Sequence, residues 1–260
     1  MKKTYAIFQK ELKHFFYSPI AYIVIAAFVI ITGFIFYLIL SQFVQMAFMD
    51  MMRSQQMRTA PQKFNINLQV IRPYFGNLAV ISLFILPLVT MRLYAEEKRN
   101  GTVELLYTTP PSVANIVLGK FFAGIVFFLI MLIPTIICQA ILFIYGSPEL
   151  APVLSGYLGL VLMGSAFISG GLFISSLTEN QIIAAVGGFG LSLMLWFIGF
   201  AGNFTGAGLK GVLDYVSIIN HFEDFSQGVI DTQHVFYYLL FCTVGVFLTY
   251  KSVESVKWRG

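Results

Sequence analysis

Residues 92–120 read RLYAEEKRNGTVELLYTTPPSVANIVLGK, a charged stretch punctuated by Gly and Pro and set between two long apolar runs. A loop that only joins two membrane helices needs no more than a few polar residues. This one carries a charge cluster (Glu96, Glu97, Lys98, Arg99), a breaker (Asn100, Gly101) and a helix-start signal at Thr102. A short piece with an apolar face follows (Val103, Leu105, Leu106, with Glu104 beside them), and Pro110-Pro111 stops it. The pattern predicts a small rigid knob at a membrane surface, built for a soluble partner to grip.

The surroundings of that stretch set the fold class. The chain has 260 residues, 58% hydrophobic and only 11% charged, whereas soluble domains carry about 25% charged residues. It therefore reads as an integral membrane protein. Apolar runs long enough to cross a bilayer lie at Ile20–Leu40, Phe75–Met91, Ile116–Tyr145, Val153–Leu177, Ile182–Ala201 and Val235–Tyr250. The expected fold is thus all-α, with six transmembrane helices. The third run is long, and Pro134 is placed to kink it. The first run lacks a small-residue cleavage site after it, so no cleavable signal is expected. Cys138 and Cys242 sit inside apolar runs and read as packed thiols.

Six spans put both termini on one side. That side holds eleven Lys and Arg residues, the other five (Arg53, Arg58, Lys63, Arg72 and Lys210). By the positive-inside rule the termini and residues 92–120 face the cytoplasm, which fits the cell (inner) membrane. The net charge of +4 forms no stripe and gives no nucleic-acid signal.

Other segments refine this plan. Tyr5, Phe8, Leu12 and Phe15 recur at helical spacing opposite Lys2, Lys3, Lys10 and Lys13, as in an amphipathic helix in the inner interface; an ordinary basic flank is the plainer alternative. Ser18-Pro19 fits an N-cap with Pro at the first helical position. Met46, Met49, Met51, Met52 and Met57 mark the first outer loop. Thioethers can hold Cu(I), but without Cys or His nearby adaptable packing is the stronger reading. Ser165/Ser169, Gly171/Ser175 and Ala184/Gly188/Ser192 have small-xxx-small spacing, suited to close helix packing within one chain or, alternatively, to a subunit contact. Residues 203–234 are too apolar for a plain loop and read as one or two helices at the outer leaflet.

Catalytic chemistry is not legible. An intramembrane enzyme needs polar groups at depth, and no Asp, Glu, Lys or Arg lies mid-span. The stretch Phe167-Ile168-Ser169-Gly170 lacks the first Gly of a GxSG core. No HExxH and no phosphate-binding loop occurs, so no cofactor or metal is expected in this chain. His221 with Glu223, Asp224 and Asp231 could ligate a cation, but solvated interface residues are the stronger reading. The absence of buried charge also weighs against an ion-coupled transporter.

Three motifs in order carry a family resemblance. EEKRNGTVELLYTTPPSVANIVLGK resembles the cytoplasmic connection between spans two and three of type-2 ABC exporter permeases. Glu97, Gly101, Thr102, Glu104, Leu105, Leu106, Thr109, Pro110, Gly119 and Lys120 occupy the family's positions, and Pro111 departs from them. SIINHFEDFSQGVIDTQHVFYYLLF is similar to a segment of the branch with gliding-motility-type and nitrous-oxide-maturation-type permeases, through His221, Phe222, Phe225, Gly228, Ile230 and Asp231. KELKHFFYSPIAYIV also fits that branch.

The resemblance implies one transmembrane domain over residues 1–260. Its parts are an amphipathic interfacial helix (1–18), a cytoplasmic coupling segment (92–115) and an extracytoplasmic segment (203–234). It implies two permease subunits, identical or sister chains, set in membrane lipid. Each docks a cytoplasmic ABC ATPase that holds ATP and Mg²⁺, through Glu96, Glu97, Lys98, Arg99, Gly101, Thr102, Glu104, Leu105 and Leu106. Export driven by that partner is the expected function. A non-transporting transducer or membrane scaffold acting on extracytoplasmic partners shares the fold and is the alternative.

Overall fold

A computed structural model describes residues 2–57, 60, 64–101, 112–202 and 206–257. Helices α1 (Lys2–Tyr17) and α2 (Pro19–Met57) meet at Ser18; α3 (Arg72–Thr90) follows a π-helical turn, Asn67–Ile71, and leads into α4 (Arg92–Arg99). Then come α5 (Val113–Leu132), α6 (Thr135–Tyr145), α7 (Leu150–Leu177), α8 (Gln181–Gly202), α9 (Ala207–Val216), α10 (Ile218–Ser226) and α11 (Thr232–Lys257). No strand occurs among the described residues. Among the described residues, six helical stretches are long and apolar enough to cross a membrane, each overlapping one of the expected runs.

One boundary differs from expectation. The helix that carries the first run does not end near Leu40: α2 runs on to Met57, 39 residues in all. At 1.5 Å per residue that is roughly 58 Å, about twice a ~30 Å hydrocarbon core. Nothing after Leu40 breaks a helix until residue 57, so the chain continues through the Met-rich stretch, and Met46, Met49, Met51 and Met52 lie exposed on it. The third run is interrupted where Pro134 was expected to bend it, and α5 and α6 flank that proline.

The packing centre is α7, which touches α3, α5, α8, α10 and α11. Lipid tails are as apolar as the side chains, so close approach rather than water exclusion holds such helices together. Small residues provide it. A Cβ on Gly159 would stand 2.6 Å from Phe225 Cβ, and Cβ atoms on Gly164 and Gly171 would run into the Phe128 ring and Thr90. The small-residue pattern of α7 is therefore used inside this chain.

The described part of the segment before the last span is two helices, where one or two were expected, and it is clamped to the bundle. Ile218, Phe222 and Phe225 of α10 are buried. Ser155 Oγ donates to the Phe225 carbonyl at 2.7 Å, Tyr237 Oη to that of Val216 at 2.7 Å, and Tyr238 Oη to that of Ile218 at 2.8 Å. At Gly228 (φ 94°) the Val229 N–H reaches back to Asp224 O and the Gly228 N–H to Phe225 O, a Schellman turn whose left-handed residue favours glycine. Asp231 then caps α11, its Oδ1 accepting from the Gln233 N–H at 2.9 Å.

Candidate functional site

The segment singled out in the sequence grows from α4, and α4 is tied to four other helices. Leu93, Tyr94 and Ala95 are buried. Ser175, near the end of α7, accepts from the N–H groups of Tyr94 (3.2 Å) and Ala95 (3.1 Å) and donates to Met91 O at 2.9 Å. One hydroxyl thus fixes the junction between α3 and α4. Lys98 Nζ donates to Ser176 O at 2.6 Å, a cation among the free carbonyls of a helix C-terminus.

The strongest tie is Lys120. Its side chain is fully buried in α5, and its ammonium donates to Glu11 Oε1 at 3.0 Å and Leu93 O at 2.6 Å and forms an ion pair with Glu97 Oε2 at 2.9 Å. The ammonium also lies 5.0 Å from the centre of the Tyr94 ring, within cation–π range. Lys10 joins from the outside, 3.2 Å from Glu97 Oε1. Burial disfavours the Lys10 ammonium, but Glu97 and Glu11 outweigh it and raise Lys10 above its ordinary value. Two ammoniums against two carboxylates balance the node, and a buried ion cluster persists only when so paired.

This node also seats α1. Paired contacts run along α1 and α5 in the same direction: Thr4 with Asn115, Ile7 against Gly119, Glu11 with Lys120, and Phe15 stacked on Phe127. A Cβ on Gly119 would come within 2.7 Å of Ile7 Cγ2. The apolar face differs from the one expected. Phe15 is buried and Phe8 packs against the core, but Tyr5 is 59% exposed while Ile7 and Glu11 are buried. Glu11 takes a core position because Lys120 neutralises it. Ser18 does not act through its side chain as the expected N-cap; its Oγ accepts from Arg92 Nη1 at 3.1 Å.

The expected partner-binding residues therefore divide. Glu97 and Lys98 point inward and hold α4 in place, and Glu96 lies 3.7 Å from His14. Arg99, Asn100 and Gly101 are exposed, with Gly101 left-handed at φ 67°, the helix-ending conformation that suits glycine. Thr102, Glu104, Leu105, Leu106 and Pro110-Pro111 lie outside the described residues. The chain resumes at Ser112, whose Oγ caps α5 by accepting from the Asn115 N–H. Sequence reasoning missed Glu11, Ser175 and the burial of Lys120. The readable signal was Glu11 itself, four residues from both Ile7 and Phe15 on one helical face.

A second polar cluster sits at the other end of the molecule. His221 is 3% exposed, which replaces the expected solvated interface residue. Ile218, His221, Phe222 and Phe225 share one face of α10 at helical spacing, and that face is covered. His221 Nε2 lies 2.8 Å from Tyr215 O, His221 Nδ1 2.6 Å from His234 Nδ1, and His234 Nε2 2.7 Å from Asp224 Oδ2. A carbonyl and an ionised carboxylate only accept. Both Nε2 atoms must then donate, and one further proton must lie between the two Nδ1 atoms. Three protons on two rings give the pair one positive charge, set against Asp224. Burial holds His221 below its ordinary value. Tyr237 stacks on His221 at 3.8 Å. No group of His, Cys, Asp and Glu suited to a metal ion occurs among the described residues. Of the expected outer motif, His221, Phe222 and Phe225 meet in this cluster, while Gly228 and Asp231 shape the turn into α11.

A family model described as ABC-2 family transporter protein matches residues 5–253. No curated protein matches the chain.

Proposed function

Since the chain belongs to the ABC-2 family of transporter proteins, we propose that it is the membrane subunit of an ATP-driven exporter, worked by a separate cytoplasmic ATPase through the segment that follows α4. The observation that carries this reading is the buried node of Lys120, Glu11 and Glu97. It makes α1, α4 and α5 one body at the root of that segment, and Ser175 and Lys98 extend the body to α7. A push on the exposed tip at Arg99–Gly101 would displace packed helices together, because a close-packed interior transmits strain rather than absorbing it. ATP and Mg²⁺ belong to the ATPase. The termini and the 92–115 segment face the cytoplasm, and a second permease, a copy or a sister chain, completes the path.

The test is purification of the tagged chain from native membrane. An ABC ATPase should co-purify, and a cross-linker placed at Arg99→Cys should capture it. Arg99→Glu and Gly101→Pro, both at the exposed tip, should leave the complex assembled while ATP hydrolysis no longer responds to reconstitution with the permease. Purification without any ATPase, or normal coupling in both variants, would remove the proposal.

A further inference from the structure

At the elbow where α1 turns into α2, two hollows adjoin. One, of about 190 Å³, is walled chiefly by Phe15, Ile20, Ala21, Val24, Leu88 and Phe127. The other, of about 260 Å³, is lined by Lys10, Arg92 and Lys120 and by Glu11, Glu96 and Glu97. Arg92 and Glu96 line both, so an apolar slot opens onto a charged chamber. Tyr17 on the slot's wall is 84% exposed, and tyrosines so placed sit at headgroup depth in a bilayer.

The chamber's charges balance in number but not in pairing. Lys120 and Lys10 take up Glu11 and Glu97. Arg92 has no carboxylate within ion-pair distance among the described residues; it donates to Ser18, and its Nε is buried without a partner. Glu96 has only His14 nearby, at 3.7 Å, and its Oε2 is buried without a partner. One cation and one anion, a helical turn apart on α4, are left unmatched.

From an apolar slot opening on a chamber with one unmatched cation and one unmatched anion, we infer that this elbow binds a phospholipid whose headgroup carries a phosphate and a primary ammonium. The phosphate lies toward Arg92, the ammonium toward Glu96, and an acyl chain fills the slot. A net-neutral chamber gives no advantage to a purely anionic headgroup. A quaternary ammonium has no N–H to offer Glu96. A free soluble zwitterion would leave the apolar wall uncovered. The bound lipid would pin the α1–α2 elbow to the leaflet on that side, whichever partner the chain engages.

The experiment uses the full chain in detergent with phosphatidylethanolamine, phosphatidylcholine or phosphatidylglycerol of identical acyl chains, and reads lipid retention by native mass spectrometry. Phosphatidylethanolamine should be retained about tenfold better than the other two, the size of one charge-assisted hydrogen bond. Arg92→Gln and Glu96→Gln should each erase the preference. Equal retention of the three lipids by the unaltered chain overturns the inference without any variant. So does a preference that survives both substitutions, or phosphoethanolamine lacking acyl chains competing as well as the lipid.

Discussion

Two side chains carry most of the energetic consequence at the residue scale. Lys120→Met leaves Glu11 and Glu97 buried without their main counter-charge, and breaking a buried ion cluster in this way costs about 3–5 kcal/mol. Thermal unfolding in detergent should show that loss. A triple change, Lys120→Met with Glu11→Leu and Glu97→Gln, should recover much of it, since apolar replacement of a whole buried cluster is often neutral. An unchanged melting temperature for the single variant would mean that the node is not buried as described. His221 gives a pH dependence. Its folded pKa is depressed by burial, with Tyr215 O, His234, Asp224, Tyr237 and Tyr238 around it. Its contribution to stability is therefore complete above the ordinary value near 6.5 and is lost as pH falls through the lower folded value. A further proton on the pair makes both Nδ1 atoms donors and breaks their bond. Melting temperature should drop below about pH 6.5 in the unaltered protein and respond less in His221→Gln; parallel pH profiles would count against this assignment.

At the element scale, contact with α7 decides what each glycine tolerates. Gly164 faces the Phe128 ring with no room for a methyl group, so Gly164→Ala should cost about 1–3 kcal/mol of overpacking. Gly33 on α2 has nothing within 4 Å of its would-be Cβ. Gly33→Ala should be neutral, or stabilising by up to about 1 kcal/mol through helix propensity. A denaturation series on the two variants checks both signs. The small-xxx-small spacing announced close packing in both α7 and α8, and α7 was legible in that sense. The spacing did not reveal that aromatic rings from α3, α5 and α10 fill the gaps on α7, because pattern alone does not name a partner. The end of the first long helix was not legible for a related reason. A hydropathy window stops where polarity rises, whereas a helix stops only where its backbone bonding is broken.

For the molecule as a whole, the alternation of six spans places α1, α4 and the start of α5 together at one end and α9–α10 at the other. With Cys138 and Cys242 replaced by Ala, a single cysteine at Arg99 should label from the cytoplasmic side with a membrane-impermeant thiol reagent. One at Lys210, exposed near the start of α9, should label from outside. Reversed labelling would invert the topology and detach the 92–115 segment from any cytoplasmic ATPase.

Span number, membrane residence and the position of the charged segment followed from the sequence alone, because each depends on local composition and on a solvent that forbids unpaired backbone. Even the helical character of 203–234 was readable, though not the number of helices, since its periodicity is local. What the tertiary structure decided was the direction in which polar groups face. Glu97 and Lys98 read as surface charges and His221 as a solvated ring, while Glu11 drew no reading at all. Each is satisfied by a partner supplied from another helix: Lys120 for the two glutamates, the Ser176 carbonyl for Lys98, His234 for His221. Polar atoms enter a low-dielectric interior only when such a partner is already in place, and that depends on how distant segments pack, not on the residues beside them in the chain.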